Sequence, residues 1–154
     1  MKIDKQKLLI EQVDEKLSLF KSLEKIVLPQ KGWVYTIRTT LKMSLRQLAD
    51  RLKISYQSVG ELEKREANGS VTIKSLREAA NVLEMNLVYG FVPKGGSIEK
   101  MIEKRANELA REIVLRTSNT MKLEDQENSH ARIEKAIKSK AEEIKNKMPK
   151  YLWG

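Results

Sequence analysis

The spacing of apolar positions predicts that the chain is mostly helical. Near the N-terminus these positions recur at steps of three, four or seven residues, which is the period of one helix face. They are Leu9, Val13, Leu17, Phe20 and Val27. The pattern predicts an amphipathic helix from Asp4 to Leu28. Pro29 and Gly32 then break it, so residues 1–31 are expected to be a helix and a linker.

Four shorter helical patterns follow one another between residues 32 and 85. They are Trp33–Leu41, Leu45–Leu52, Tyr56–Arg65 and Ile73–Glu84. Ser44, Ser55 and Thr72 each stand just before one of these runs, where a side-chain oxygen accepts from the free N–H groups of a first helical turn. Four short helices joined by tight turns make residues 32–85 a small all-α domain.

Residues 87–92, Leu-Val-Tyr-Gly-Phe-Val, are the only stretch rich in β-forming residues. Pro93 and the Gly95-Gly96 pair close it, so the pattern predicts one short strand and a turn within residues 86–96. A lone strand leaves a row of backbone groups unpaired. It therefore either pairs with its copy across a two-fold axis or packs on the helices as an extended segment.

The C-terminal segment, residues 97–154, carries two further helical stripes. One runs from Ile98 to about Leu115. The other consists of Ile133, Ile137, Ala141, Ile144 and Met148. Outside this second stripe the last helix is nearly all Lys and Glu, so it is either solvent-exposed or docked along one edge, with Tyr151-Leu152-Trp153 as an apolar anchor.

The amino-acid composition limits the kinds of function that the protein can have. Charged residues make up 33% and aromatic residues 5% of the 154 residues, which favours solvated helices around a small core. The formal charge of +9 attracts polyanions, duplex DNA above all, although a basic balance alone does not single out nucleic acid. The absence of cysteine removes disulfides, Cys-ligated zinc and thiol nucleophiles, and no metal or other cofactor is expected.

Nothing in the sequence predicts an enzyme or a membrane protein. His130 is the one histidine, and neither a Gly-rich phosphate loop nor a paired nucleophile and base is present. No apolar run approaches the roughly 18–20 residues that span a bilayer. A non-enzymatic, cytoplasmic protein is therefore expected.

The run from Met43 to Glu63 has the spacing of two helices joined by a short turn. Ala49 supplies the small residue that such a pair needs where its helices cross. The apolar residues of the shared core are Leu48, Leu52, Ile54, Val59 and Leu62. From Arg38 through Leu83 the sequence resembles the Xre-type helix-turn-helix family, the phage repressor and Cro group. The resemblance implies a mostly α, phage-repressor-like bundle, here with N- and C-terminal helical extensions and one short β-strand.

The same resemblance implies roles for individual residues. Arg38 and Glu63 take the positions of a partly buried ion pair, so they are expected to be structural. The second helix of the motif is expected to enter the major groove. The expected base contacts are Tyr56, Gln57, Gly60 and Glu61, and the expected phosphate contacts are Ser44, Arg46, Gln47, Ser55, Ser58 and Lys64. The plain alternative is that these are merely exposed polar residues.

Gln57 is the strongest candidate base reader, because its amide both donates and accepts and so matches adenine N6 and N7. Tyr56 offers stacking or a thymine-methyl contact, and Glu61 an acceptor for cytosine N4. Gly60 stands where the family usually has a longer polar residue, which favours close approach of the backbone over base reading.

Fragments spread over nearly the whole chain resemble a narrower family, mobile mystery protein A. They are Pro29 with Gly32-Trp33, Ile37-Arg38, residues 48–52, Leu87-Val88-Tyr89 with Val92-Pro93, Arg105-Ala106, residues 120–126 and Leu152-Trp153. That family is found beside mobile mystery protein B, which carries a Fic domain, so the resemblance implies an antitoxin and autorepressor with a Fic-domain partner. Thr120 and Glu124 have the spacing of a Fic-inhibitory motif, but Asp125 replaces its small residue, and the alternative is that Thr120 caps a helix.

The function expected is sequence-specific binding of a double-stranded DNA operator by a homodimer, with the N-terminal helix or the strand as the dimer contact. The alternative is a protein-interaction module that inhibits a Fic AMP-transferase, and both can hold at once. RNA binding ranks third, because A-form RNA makes the major groove inaccessible.

Overall fold

The computed structural model describes residues 4–119 and 129–154, and within them the chain is mostly helical. The helices are α1 (Lys5–Ser18), α2 (Trp33–Thr40), α3 (Leu45–Leu52), α4 (Tyr56–Asn68), α5 (Ile73–Val82), α6 (Ile98–Asn119) and α7 (Ser129–Lys147), with 3₁₀ turns at Lys21–Lys25 and Lys150–Trp153. They form two compact units, Ser22–Gly90 and Met1–Lys21 with Phe91–Gly154. The mostly α fold class is confirmed.

The first of these, the middle unit (Ser22–Gly90), builds α2 to α5 around one small core. Ser44, Ser55 and Thr72 start three of its helices, because each side-chain oxygen accepts from a first-turn N–H. Left-handed residues end two of them, since Lys53 (φ 57°) closes α3 and Gly69 (φ 83°) closes α4. The buried apolar residues are Val34, Leu48, Ala49, Val59, Ala79 and Leu83.

The second, the three-helix unit (Met1–Lys21 with Phe91–Gly154), packs α1 and α7 on α6. Its buried residues are Ile102, Ala106, Ala110, Ile137, Ala141, Ile144 and Leu152. Asp14 of α1 caps α6, because its carboxylate accepts from the N–H groups of Ile98 at 2.6 Å and Glu99 at 3.1 Å. Arg105 donates from Nε to the carbonyl of the fully buried Leu152 at 2.6 Å. The last helix is therefore docked on α6, one of the two arrangements expected.

Several helix ends differ from those expected. The sequence predicts one helix from Asp4 to Leu28, but α1 ends at Ser18 and a 3₁₀ turn follows. Residues 19–28 are largely exposed, so no packing stabilises the last part of the predicted helix. α4 continues to Asn68 because Gly69 is the first residue to adopt the left-handed conformation that ends it.

The short β-strand expected within residues 86–96 is wrong for the single chain over the residues that the structure describes. A strand exists only through hydrogen bonds to a neighbouring strand. Residues 86–92 neither donate nor accept a backbone hydrogen bond within the described chain. Val88, Tyr89 and Phe91 are 69%, 58% and 78% exposed, whereas Leu87 and Val92 are half-buried, so the segment packs on the rest of the chain only in part.

Candidate nucleic-acid interface

α3 and α4 are joined by the three-residue turn Lys53–Ser55. Lys53 reverses the chain in the left-handed conformation, and the Ile54 N–H returns to the Ala49 carbonyl at 3.1 Å. Ala49 itself is buried, beside the fully buried Leu48 and Val59, in one core. A helix, a tight turn and a second helix on a shared core is the arrangement of a helix-turn-helix.

An ion pair ties α4 to α2. Arg38 donates from Nε to one Glu63 oxygen at 2.5 Å and from a terminal nitrogen to the other at 3.1 Å, and its second terminal nitrogen donates to the Met43 carbonyl at 2.8 Å. The two side chains are 10% and 9% exposed. The hydrogen bond to Glu63 raises the pKa of Arg38, against the opposing effect of burial. The guanidinium therefore keeps its charge where water is largely excluded.

A second carboxylate of α4, which the sequence reasoning missed, caps α2. Glu66 accepts from the backbone N–H groups of Trp33 at 2.9 Å and Val34 at 2.8 Å. Gly32 stands at the N-cap with φ 86°, has no side chain to do this, and would place a Cβ 2.8 Å from the Glu66 carboxyl carbon. The signal in the sequence is the glycine itself, since a helix that starts without a capping side chain needs an acceptor from another element.

The expected base contacts form one row on the outward side of α4. Tyr56, Gln57 and Glu61 are exposed, whereas Val59 and Glu63 of the same helix are buried. Gln57 and Glu61 are four positions apart and share a helix face, and Tyr56 lies beside them at the start of the helix. The row therefore points away from the core of the middle unit.

Gly60 leaves a gap in this row. It is half-buried, its φ is not positive, and a Cβ built on it would meet no atom within 4 Å. Neither packing nor backbone conformation requires a glycine here. A glycine inside a helix costs roughly 0.5–1 kcal/mol relative to alanine, so the gap lowers stability without a reason within the chain.

Two pairs of expected DNA contacts touch each other. The Arg46 guanidinium carbon of α3 lies 5.4 Å from the centroid of the Tyr56 ring on α4, which is cation–π distance. Glu61 and Lys64 pair at 3.9 Å, and both are exposed. An exposed ion pair contributes at most about 1 kcal/mol, so these two side chains remain available to a ligand.

The polar residues at the two helix starts are partly used by the fold. Gln47 donates from its backbone to Ser44 Oγ at 3.1 Å, and its Oε1 accepts from the Ser44 N–H at 2.8 Å. Ser55 Oγ accepts from the Ser58 N–H at 3.1 Å, and the two hydroxyls lie 2.8 Å apart. These caps leave the Gln47 side-chain NH₂ free to donate. Neither α3 nor α4 has an acidic residue in its first turn, so the positive end of each helix dipole is open to an anion.

Other kinds of site are not seen in the described part of the chain. Within residues 4–119 and 129–154, no group of carboxylates and histidine is arranged to hold a metal ion, and no helix has the length and apolar character to cross a bilayer. Thr120 and Glu124, the expected Fic-inhibitory residues, lie outside the described residues. His130 is exposed.

Comparison with known proteins adds no relative. No family model, no curated protein and no solved structure matches the chain.

Proposed function

We propose that the protein is a sequence-specific DNA-binding regulator that places α4 in the major groove of duplex DNA. The observation that carries the proposal is the outward row of Tyr56, Gln57 and Glu61 on a helix that two inward carboxylates hold to α2. Base edges are read by donors and acceptors presented on a rigid element that fits the groove. α4 combines the polar row with such a support.

The chemistry of the row suits base reading. The Gln57 amide offers the donor and acceptor that adenine N6 and N7 require, and the Glu61 carboxylate offers an acceptor for cytosine N4. Tyr56 presents an apolar ring toward a thymine methyl group. The gap at Gly60 lets the α4 backbone approach the groove more closely than any other residue would.

Charge around the row supports attraction to phosphate. The middle unit holds eleven Lys and Arg residues against seven Asp and Glu residues. Glu63 pairs with Arg38 of α2, and Glu66 accepts from two backbone N–H groups of α2. The unit therefore carries a net positive charge. Arg46 and the open starts of α3 and α4 supply phosphate contacts that fix the orientation of the protein without reading sequence.

The acting form is a dimer that binds two half-sites, because one helix-turn-helix gives too little contact for operator specificity. The protein acts by binding rather than by catalysis, and repression of its own promoter is the role that the resemblance to mobile mystery protein A favours. Binding to a neighbouring Fic-domain protein is a separate property, tested by a pull-down with that protein.

Selection from a pool of random DNA duplexes with the full chain tests the proposal. At roughly 0.15 M salt, where long-range attraction is screened, we expect enrichment of a short motif in two inverted copies. A Tyr56→Ala/Gln57→Ala double variant should lose the enrichment. A Lys135→Ala/Lys138→Ala variant, altered at two exposed cations of α7, should retain it.

Two outcomes of the selection would overturn the proposal. One is a selected pool without any enriched sequence, and the other is enrichment of the same motif by the α4 double variant. Preference for single-stranded or double-stranded RNA over duplex DNA in a competition assay would likewise reject a major-groove reader.

A further inference from the structure

We infer that residues 86–92 of two copies of this chain pair as antiparallel strands and form the dimer contact. The inference deepens the proposed function by naming the partner surface, and only the role of the dimer on DNA rests on that function. It starts from the finding that this segment has the composition of a strand and no hydrogen-bond partner within the described chain.

The backbone of the segment is available for pairing. Glu84, with φ 59°, ends the turn after α5, and Pro93 has no N–H to donate. Between them no residue is left-handed, Gly90 included, so no positive φ interrupts a ladder along the segment. An exposed row of unpaired N–H and C=O groups is a template for another strand.

The order of side chains fits a second copy. Successive side chains of a strand alternate between faces, so Leu87, Tyr89 and Phe91 share one face. A two-fold axis perpendicular to two antiparallel strands leaves the two faces of the sheet unexchanged. It therefore pairs odd-numbered residues with odd-numbered residues and even-numbered residues with even-numbered residues. An axis at Tyr89 therefore gathers the exposed rings of Tyr89 and Phe91 and the half-buried Leu87 of both copies on one face, where cross-strand pairs stabilise a sheet.

With the same axis, every residue from 86 to 92 lies opposite a residue of the second copy. With Tyr89 opposite its own copy, the remaining pairs are Asn86 with Val92, Leu87 with Phe91 and Val88 with Gly90 of the second copy. The ladder then begins after Met85 and ends before Pro93, which is where the missing N–H would stop it. Gly90, which has no side chain to pack, lies opposite Val88.

Charge also favours a copy of this chain as the occupant. Residues 85–93 contain no charged residue, although a third of the chain is charged and the net charge is +9. Two copies of a cationic protein repel each other except where the contact is uncharged. An acidic partner would require cations, which this segment lacks.

The exposed aromatic area available for the contact is small. Tyr89 and Phe91 of two copies together offer roughly 500 Å² of exposed ring surface, taking about 200 Å² for each whole side chain. This is below the roughly 1,200–2,000 Å² that stable interfaces bury. The dimer should therefore be weak in free solution and stabilised when one DNA site holds both copies.

The other expected dimer element, the N-terminal helix, is engaged within its own unit. Asp14 caps α6 and Ile10 packs against the core of the three-helix unit. Leu8 and Leu9 remain about half exposed, but they carry no unpaired backbone. Residues 86–92 combine apolar exposure with unpaired hydrogen-bonding groups.

Oxidative cross-linking tests the register, because the chain has no cysteine of its own. Single variants Val88→Cys, Tyr89→Cys and Gly90→Cys of the full chain are compared with Val27→Cys, a position 88% exposed outside the segment. Directly opposed residues have Cβ atoms about 4.5–5.5 Å apart, near disulfide range, while diagonal ones lie about 7–8 Å apart. We expect Tyr89→Cys to cross-link fastest of the four.

Sedimentation without DNA provides the second readout. Tyr89→Lys should weaken self-association by about tenfold or more, since it removes two aromatic rings and opposes like charges. Its circular dichroism should stay unchanged, and the control Tyr151→Lys, half exposed in the three-helix unit, should associate as the wild type does. A wild type that is monomeric at all concentrations, unchanged association of Tyr89→Lys, or equal cross-linking at residues 27 and 89 would overturn the inference.

The two proposals fail separately. A dimer that selects no DNA motif rejects the proposed function and leaves the strand pairing intact. A protein that selects a motif but whose cross-linking shows no preference for Tyr89→Cys rejects the strand pairing alone.

Discussion

Arg38 binds both carboxylate oxygens of Glu63 at a depth where about a tenth of either side chain reaches solvent. The pair joins the last turn of α2 to the middle of α4. Because two parallel hydrogen bonds fix angle as well as distance, the pair sets the orientation of the helix that carries the outward row.

Removal of one partner of this pair should be strongly destabilising. Glu63→Ala leaves a desolvated guanidinium with one remaining acceptor, the Met43 carbonyl, and should lower the free energy of unfolding by about 3–5 kcal/mol. Urea denaturation of the full chain measures it. An Arg38→Met/Glu63→Leu double variant, which removes both charges, should lose less. A double variant as unstable as the single one would show that the unpaired charge is not the cause.

Glu66 should contribute as a helix cap. Glu66→Ala removes the acceptor for the Trp33 and Val34 N–H groups. Because loss of an N-cap typically destabilises a protein by about 1 kcal/mol, the free energy of unfolding should fall by about that amount. The control is Glu61→Ala, an exposed carboxylate on the same helix, which should change stability little. Equal losses in thermal denaturation would mean that the capping contact contributes nothing.

Gly60→Ala should change stability and DNA binding in opposite directions. The added methyl group meets no atom within 4 Å and improves helix propensity, so the free energy of unfolding should rise by roughly 0.5–1 kcal/mol. The same methyl group fills the gap through which the backbone approaches DNA, so affinity for the selected motif should fall. Asn81→Ala on α5, also an exposed helical position, should stabilise without loss of affinity. Undiminished affinity of Gly60→Ala would rule out close approach there.

Gln57 and Arg46 should separate specificity from affinity. Gln57→Ala should weaken binding to the selected motif by about 1–3 kcal/mol and leave random DNA unaffected, because it removes a base contact. Arg46→Ala should weaken both kinds of DNA and reduce the slope of log affinity against log salt, because it removes a phosphate contact. Fluorescence anisotropy over a salt series measures both. Parallel losses for Gln57→Ala on the two DNAs would remove it from the base readers.

Local features of the fold could be predicted from the sequence. The bounds of α3 and the caps at Ser44, Ser55 and Thr72 follow from contacts within four residues, so the pattern predicts them correctly. The pairing of Arg38 with Glu63 was available only from a family resemblance, because 25 residues separate the partners.

Long-range contacts and missing partners account for what the sequence did not predict. The caps from Asp14 and Glu66 span 84 and 32 residues, and helical periodicity contains no information about which distant carboxylate reaches a helix start. The strand failed for a related reason. Residues 86–92 have the right composition, but strand formation depends on a neighbour that residues 4–119 and 129–154 of one chain do not provide.

The Asp14 cap also implies an order of assembly. The three-helix unit is interrupted in sequence by the whole middle unit, so α1 can dock on α6 only after the intervening chain has been brought back on itself. Closing so long a loop costs conformational entropy before any contact forms, and collapse of the intervening helices shortens the distance to be closed. α1, which buries none of its residues fully, should therefore be the last helix to settle and the first to exchange its amide hydrogens.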